Sequence, residues 1–497
     1  MKKLMALMLA LVMCVAGMSI AAAEGAAPAV DPASLEPYEI VWYTLGSTAN
    51  SEQAVLDEIN KQLTEKFNAT LVMNKNNNND HLEKLKLLVA ARDDFDLAFV
   101  SNEYANYVAM EAFKPLTELL NNYGQNIMAT YPQALWDCVT INGEVYAVPT
   151  HKYSCSYFYY CISKTQSDQL GVSTDWIADP ELDKMQRWDA FRNWATEMKK
   201  AGGDTNGYIT SVNGGAFEAL YPCEYMTGSS YDPGAVVLGD DSIANQERNV
   251  VFNQFATPEF EQFCRDAREL FEAGVTPKDE TTNPDLSKGD PAISTQDSMA
   301  KRLKGYEEQY SQDFEPYMLN YAFTTTQKIY GSMNAISDTS ADPERVMMFL
   351  NELIGNTEFA NLIFYGVEGV SYKRNDAGQI VRNADEWNMT TWSLPGFITA
   401  EPDTSLPINM VEMYEAFDKE LVYADNMGFA FDEEPVMTEL AAVRQVTNEY
   451  YKALAGGRAD VDTELPKFLA ALESAGVDTI LAEEQAQLDA WRTAQGK

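Results

Sequence analysis

Residue types that carry metal or nucleophilic chemistry are sparse in this 497-residue sequence. Its two histidines, His81 and His151, belong to no HExxH motif, and no CxxC pair, nucleophile elbow or glycine-rich phosphate loop occurs. We therefore expect no zinc or iron centre and no cofactor. Asp and Glu number 75, so a pair of carboxylates spaced for glycoside hydrolysis would arise by chance and is no evidence of catalysis.

The cysteines give little sign of a disulfide framework. Five of the six follow the N-terminal apolar segment, namely Cys138, Cys155, Cys161, Cys223 and Cys264. That number is odd and low for the chain length, although pairing of individual cysteines stays open. No D-x-[DN]-x-[DN]-G loop occurs, and Asn375-Asp376-Ala377-Gly378 fits a plain turn better than a calcium loop, so calcium binding also stays open.

The charge of the chain limits its partners. Lys and Arg number 36 against the 75 acidic residues, which gives a formal net charge of −39. A protein this acidic repels phosphate backbones and anionic lipid surfaces. We expect no nucleic-acid partner, and solubility is the simplest reason for the charge.

The N-terminus has the features of a cleaved export signal. Lys2 and Lys3 precede the uncharged apolar run Leu4–Ile20, and small residues follow at 21–23. We predict a signal peptide over 1–23 and a linker over 24–37, and hence an exported protein. An uncleaved anchor is the alternative. Lipidation of Cys14 is disfavoured, because Met13 occupies the position where a lipoprotein signal has a small residue.

Local patterns predict an α/β fold. The runs YEIVWYTL, ATLVMNK and DFDLAFVS read as strands separated by amphipathic helices, and a βαβαβ order implies a parallel sheet with helices on its faces. Asn142-Gly143 predicts a hairpin turn. Thr257-Pro258 and Asp342-Pro343 predict helix starts, and helical patterns dominate from Glu433 onwards.

Several segments together resemble an extracellular solute-binding protein of an ABC importer, in the large family that binds maltose and other oligosaccharides. They are, in order, IVWYTLGSTANSEQAVLDEINKQLTEKF, LVAARDDFDLAFVSNEY, INGEVYAVPTHK, RWDAFRNWATEMKKAG, SDTSADPERVMMFLNELIGNTEF and LIFYGVEGVSYKRNDAGQI. The hairpin INGEVYAVP is the most specific of these, and the last segment is similar to the larger, lipoprotein-type branch. AARDD departs from the family's usual turn, which has a small residue, Gly and an acid.

The resemblance implies a two-lobed periplasmic-binding-protein-like fold of type II. Each lobe would hold a mixed sheet flanked by helices, with a helical C-terminal region and more than one crossover between the lobes. We place 38–149 with about 291–331 in lobe 1, and 150–290 with about 332–497 in lobe 2.

The resemblance also places the ligand in the cleft between the lobes, outside the carboxyl ends of the strands. Sugars need aromatic faces for their C–H surface and polar groups for their hydroxyls. Among the aromatic candidates, Trp42 and Trp387 are also considered, and packing in the core is the main alternative for each aromatic residue. The predicted ligand contacts are Ser47, Thr48, Ser101, Asn102, Glu103, Tyr104, Thr150, His151, Tyr153, Tyr225, Glu368 and Trp392.

The implied function is capture of a small solute, most simply an oligosaccharide, and its delivery by a monomer to an ABC permease in the membrane. A secreted carbohydrate-active enzyme is one alternative. The same fold binding a peptide or another solute is a second. An anion would need a cluster of Arg or Lys in the cleft, and the loops that follow the strands offer only Lys152.

Overall fold

The computed structural model describes residues 31–151, 158–202, 215–238, 246–276, 292–295, 314–318, 323–406, 408–412 and 421–497, with the single positions 243, 278, 415 and 419. Within these residues, two large buried apolar cores define two lobes. Of the described residues, those within 31–149 and 329–412 form lobe 1, and those within 158–324 and 421–497 form lobe 2. The described chain thus changes lobe three times, and the predicted two-lobed α/β fold is confirmed.

The regular elements of the described residues are as follows. The strands are β1 (Tyr38–Ser47), β2 (Ala69–Asn76), β3 (Leu97–Val100), β4 (Thr140–Ile141), β5 (Glu144–Val145), β6 (Val148–Pro149), β7 (Phe158–Ser163), β8 (Cys223–Tyr225), β9 (Gly234–Val237), β10 (Phe252–Asn253), β11 (Ala292–Thr295), β12 (Phe314–Met318), β13 (Phe323–Thr324), β14 (Met333–Ile336), β15 (Tyr372–Arg374), β16 (Ile380–Arg382), β17 (Asn388–Met389) and β18 (Val422–Tyr423). The helices are α1 (Glu52–Phe67), α2 (Asn78–Ala91), α3 (Tyr104–Ala109), α4 (Thr117–Tyr123), α5 (Gln125–Thr130), α6 (Gln133–Val139), α7 (Lys164–Leu170), α8 (Lys184–Lys200), α9 (Gly215–Leu220), α10 (Pro258–Glu272), α11 (Thr326–Tyr330), α12 (Pro343–Gly355), α13 (Thr357–Tyr365), α14 (Met437–Ala455), α15 (Val461–Ala475) and α16 (Val477–Gln495).

Lobe 1 is built on a six-stranded mixed sheet. Five strands follow the order β17-β1-β3-β14-β6, and β2 pairs with residues 38–45 of β1. β1 is parallel to β2 and β3, which confirms the predicted βαβαβ opening. β14 runs antiparallel to both β3 and β6, and β17 runs antiparallel to β1. The carboxyl ends of β1, β3 and β6 therefore lie at the same edge as the start of β14.

Apolar periodicity accounts for the opening unit of lobe 1. Ile40 and Trp42 of β1 are fully buried, as are Val55, Ile59 and Leu63 at helical spacing on α1. Each such side chain contributes roughly 1.5–3 kcal/mol through the area that it removes from water. The helix therefore has one orientation on the sheet, and the loop between β1 and α1 is fixed at both ends.

Lobe 2 combines small antiparallel sheets with longer helices. β7 lies between β11 and β12, and β9 lies between β8 and β10. The apolar faces of α8, α10 and the C-terminal α14 to α16 supply most of the core. The predicted helical C-terminal region is confirmed. Thr257 caps α10, as predicted, by accepting a hydrogen bond from the Phe260 amide.

The predicted lobe boundaries are wrong for two segments. The prediction places about 291–331 in lobe 1, but β11 and β12 pair with β7 in lobe 2. It places about 332 onwards in lobe 2, but β14 pairs with β3, and the helices after it pack in the core of lobe 1. The physical reason is that a four-residue strand carries no local signal for its partner, since pairing is a long-range contact.

Residues 1–30, which hold the predicted signal peptide and half of the predicted linker, lie outside the described part. The described end of the linker contacts lobe 1, because the carbonyl of Leu35 accepts a hydrogen bond from Asn68 Nδ2. Among the described residues, no helix combines the length and the apolar character that crossing a membrane would need.

Candidate ligand-binding site

Three strands of lobe 1 present their ends side by side at one edge of the sheet. Met333 of β14 is paired with both Val100 of β3 and Pro149 of β6. Ser101 and Thr150, which follow β3 and β6, therefore lie at this edge with Ser332, which precedes β14. The Thr150 amide and hydroxyl both donate to the Ser332 carbonyl, at 3.1 and 3.2 Å.

The end of β1 adds a fourth set of polar groups to this edge. Gly46 and Ser47 pair with β17, and the Thr390 amide donates to the Leu45 carbonyl at 3.1 Å. The side chains of Ser47, the last paired residue, and of Thr48, the residue after it, are exposed. The structure thus brings together the predicted loops after β1, β3 and β6.

Trp392 lies over the same edge, on a short 3-10 turn at 391–393. Its carbonyl accepts a hydrogen bond from the Ser332 hydroxyl at 3.0 Å, and the Ser393 carbonyl accepts one from Asn334 Nδ2 at 3.0 Å. The indole ring meets the Phe99 ring edge-on, with centroids 5.6 Å apart, yet Trp392 is still 38% exposed. The turn therefore holds an aromatic face at the edge where a ligand can reach it.

His151 follows Thr150 and carries a polar atom without a partner. Its φ of 42° lies in the left-handed region, and its ring meets the Tyr131 ring edge-on at 4.8 Å between centroids. Nδ1 is inaccessible to solvent and makes no hydrogen bond within the described residues. Burial lowers the pKa of His151 to about 4, so the imidazole is neutral at pH 7.

A buried ion pair holds the loop between β1 and α1. Lys75 Nζ lies 2.6 Å from Glu52 Oε2 and 4.0 Å from the centre of the Trp387 ring. Glu52 Oε2 also accepts a hydrogen bond from the Ala49 amide at 3.3 Å. Sequence reasoning missed Lys75 and Glu52, because a charged residue near a strand end gives no sign of the partner that buries it.

Other predicted contacts lie elsewhere or are exposed. Tyr104 is fully buried in lobe 1, where its hydroxyl bonds the backbone of Val139 and Tyr146, so it is a core residue and not a ligand contact. Tyr225 is 8% exposed and packs in the core of lobe 2, as the alternative of core packing expects, and no described contact joins it to the edge of lobe 1. Asn102 and Glu103 are exposed just beyond Ser101.

The remaining candidates are a carboxylate and three further aromatic residues. Glu368 is exposed beside β15 and pairs with Arg374 at 3.3 Å, and no described contact joins it to the edge. Tyr153 lies outside the described residues. Trp42 and Trp387 are core residues, and their indole N–H groups donate to Asn334 Oδ1 and to the Ile363 carbonyl.

A small surface cavity opens at the opposite edge of the lobe 1 sheet. Its lining includes Arg92, Phe95, Met110 and Thr339. Phe95 precedes β3 and Thr339 follows β14, so this cavity lies at the other end of the strands from Trp392. No group of three or more His, Cys, Asp or Glu side chains in the described residues is arranged to hold a metal ion.

Comparison with protein families agrees with this geometry. A family model described as bacterial extracellular solute-binding protein matches residues 58–370, which is more than half of the chain. The chain belongs to this family. The predicted family resemblance is confirmed. In this solute-binding protein a second model, for a domain of unknown function named DUF3502, matches residues 425–493, which include α14, α15 and most of α16.

Known relatives and solved structures cover nearly the whole solute-binding protein. A carbohydrate ABC transporter substrate-binding protein of Streptococcus pneumoniae is 23% identical over 469 residues, with 90% of each chain covered. The crystal structure of the N-glycan transport solute-binding protein NgtS, also from S. pneumoniae, aligns with a TM-score of 0.77 at 20% identity, covering 93% of this chain and 100% of that one. A human milk oligosaccharide-binding protein of Bifidobacterium longum infantis aligns with a TM-score of 0.59 at 13% identity, covering 92% and 99%.

Proposed function

We propose that this protein is the substrate-binding component of an ABC importer and that it captures an oligosaccharide at the sheet edge of lobe 1. The observation that carries the proposal is the exposed Trp392 ring, which Ser332 fixes next to Thr150 and His151. An aromatic face can cover the C–H surface of a sugar ring, while hydroxyl and imidazole groups bond its hydroxyls.

The relatives support a carbohydrate ligand. The curated S. pneumoniae relative is named as a carbohydrate transporter component, and NgtS has been solved in complex with Man1GlcNAc and Man5GlcNAc. Both proteins are named as solute- or substrate-binding proteins of transporters. The solved structures share the fold at low identity, so the polar groups at the edge carry the proposal for this chain.

Delivery to a permease completes the proposed role. The lobes close on the sugar through the segments that join them, and the closed form docks on membrane subunits of an importer. Export follows cleavage after residue 23, and Met13 argues against a lipid on Cys14. The intact mass of the exported protein tests this point: a start at Glu24 supports it, and a diacylated start at Cys14 overturns it.

Binding is tested with the purified protein and a panel that includes Man1GlcNAc, Man5GlcNAc and a human milk tetrasaccharide. A ligand present at 100 times its dissociation constant adds about 2.7 kcal/mol of stability, so thermal shift screens the panel and calorimetry measures the affinities. Product analysis of the same mixtures tests the enzyme alternative. Binding without product supports the proposal, whereas sustained hydrolysis, or no binding to any glycan, overturns it.

A further inference from the structure

One short turn of the C-terminal domain touches both lobes. We call residues 424–429 the clasp. Gly428, at φ 93°, donates its amide to the Thr326 hydroxyl at 2.8 Å, and Thr326 begins α11, where the chain crosses into lobe 1. A methyl group on Gly428 would lie 2.8 Å from the Asp137 carbonyl of α6 in lobe 1. Backbone therefore meets backbone across the lobes with no room for a side chain.

The neighbouring residues of the clasp bind it to lobe 2. Asn426 is fully buried, and its Nδ2 donates to Glu224 Oε2 of β8 at 2.9 Å. Its Oδ1 accepts a hydrogen bond from Arg492 of α16 at 2.7 Å. Met427 packs against the cores of both lobes. The amide of one residue thus links a strand, the C-terminal helix and the turn that touches lobe 1.

The end of α16 braces the clasp further. The rings of Phe429 and Trp491 meet edge-on with centroids 5.8 Å apart, and Lys497 donates to the Asp425 carbonyl at 3.0 Å. The Asp425 carboxylate pairs with Arg248 at 2.8 Å. The clasp is therefore held from the lobe 2 side by both a helix and a loop.

We propose that the clasp sets the angle between the two lobes, and that the C-terminal helices of the domain of unknown function act as its support. Hinge residues are few and absorb the backbone change when lobes move, so a contact at the hinge determines which angles are reached. Because Gly428 meets the Asp137 carbonyl without a side chain between them, closer approach of the lobes at this point is sterically limited. This role is separate from the sugar site and concerns the protein without ligand.

The test is an interlobe distance distribution from electron–electron double resonance on the full mature chain. Spin labels are attached through a genetically encoded ketone amino acid at Lys61 in lobe 1 and Lys200 in lobe 2, both exposed, so that the native cysteines stay untouched. Gly428→Ala places a methyl group against Asp137. Gly378→Ala is the matched control, because Gly378 has a φ of 82° and nothing lies within 4 Å of its added methyl group.

We expect Gly428→Ala to shift the mean interlobe distance by several ångströms and Gly378→Ala to leave it unchanged. A distribution for folded Gly428→Ala that superimposes on the wild type overturns the proposal. Arg492→Met is the second variant, in case Gly428→Ala does not fold. It removes the bond to Asn426 and should broaden the distribution, whereas Lys467→Met on α15 should not. An unchanged width for Arg492→Met contradicts the role of the C-terminal helix. No ligand is used, so failure here is distinct from failure to bind sugar.

Discussion

The region around Asp96 in lobe 1 and the region around Glu484 in lobe 2 bury charged side chains in different ways. In lobe 1, Asp96 is 5% exposed and accepts hydrogen bonds from the Tyr38 hydroxyl, the Val41 amide and the Ser340 hydroxyl. Arg345, also buried there, donates to backbone carbonyls that include that of Phe67, at 2.6 Å. Both groups are therefore paired on several sides.

In lobe 2, two buried carboxylates have few partners. Glu484 of α16 is fully buried, and neither of its oxygens makes a hydrogen bond within the described residues. Its carboxylate lies against Gly234, where a methyl group would meet Glu484 Oε2 at 1.7 Å. Burial raises the pKa of Glu484 to about 8 and that of Glu224 to about 7.

The two regions therefore differ in how far hydrogen bonds compensate the burial of a charged group. The paired charges of lobe 1 fix the strands whose ends form the candidate site. Burial raises the pKa of both carboxyl groups toward neutral pH; Glu484 belongs to α16, which supports the clasp, and Glu224 accepts a hydrogen bond from Asn426 of the clasp. Removing a buried charge that other groups bond to should thus lower the free energy of unfolding. Replacing an unbonded buried carboxyl group by a neutral amide should remove the cost of ionising it.

The largest effect is expected for Asp96→Ala. It leaves the Tyr38 and Ser340 hydroxyls and the Val41 amide without their common acceptor, so we expect a loss of about 3–5 kcal/mol in the free energy of unfolding. Urea denaturation measures it. Asp94→Ala, at an exposed position two residues earlier, is the control and should stay within about 0.5 kcal/mol of the wild type. Equal values for the two variants would remove the contrast between the lobes.

The second prediction concerns pH and Glu484. The unfolded chain releases this proton near pH 4.5 and the folded chain keeps it to about pH 8, so the folded state binds more protons in between. The stability that Glu484 contributes is present below pH 4.5 and is lost as the pH rises to 8, by up to about 1.4 kcal/mol per pH unit.

Glu484→Gln should remove this slope, and denaturation at pH 5.5, 6.5 and 7.5 checks it. Glu483→Gln, the neighbour on the same helix, serves as the control and should keep the wild-type slope. If the slopes of wild type and Glu484→Gln coincide, Glu484 is not a proton-linked group.

The third prediction concerns a site residue at the edge of lobe 1, since the Nδ1 atom of His151 is buried and makes no hydrogen bond to the described residues. His151→Leu should weaken glycan binding roughly tenfold, the value of about one hydrogen bond. His151→Asn should bind within a few-fold of the wild type, because Asn tolerates positive φ and keeps a polar group. Calorimetry measures both.

Wild-type affinity should also be flat from pH 8 to 5 and fall near pH 4, where the imidazole becomes charged. Loss of affinity with a midpoint near 6.5 would show that the ring is not desolvated as the structure has it.

Much of lobe 1 could be predicted because its signals are local. The βαβαβ opening follows from apolar periodicity, and the Asn142-Gly143 hairpin turn has the positive φ values, 53° and 84°, that its sequence predicts. Ser47, Ser101 and Thr150 could be placed at one edge because each lies at or just after the carboxyl end of a strand. Trp392 could be singled out by its polar neighbours.

The rest depended on long-range contacts. Tyr104 begins a helix whose orientation turns its ring into the core, which a position after a strand does not reveal. The lobe that holds β14 is decided by its pairing with β3, and the burial of Glu484 by the packing of α16 on β9. None of these leaves a periodic pattern in the sequence.

The central claim, that a sugar binds at the sheet edge of lobe 1, is tested most directly by calorimetric titration of Trp392→Ala. The titrant is the glycan of the panel that binds the wild type most tightly. Aromatic stacking contributes about 0.5–1.5 kcal/mol beyond the apolar area that it buries. Loss of both contributions should lower the affinity for the glycan tenfold or more. Phe271→Ala, which truncates a partly buried aromatic residue near the end of α10 in lobe 2, should bind like the wild type. Equal affinities for Trp392→Ala and the wild type would contradict the account.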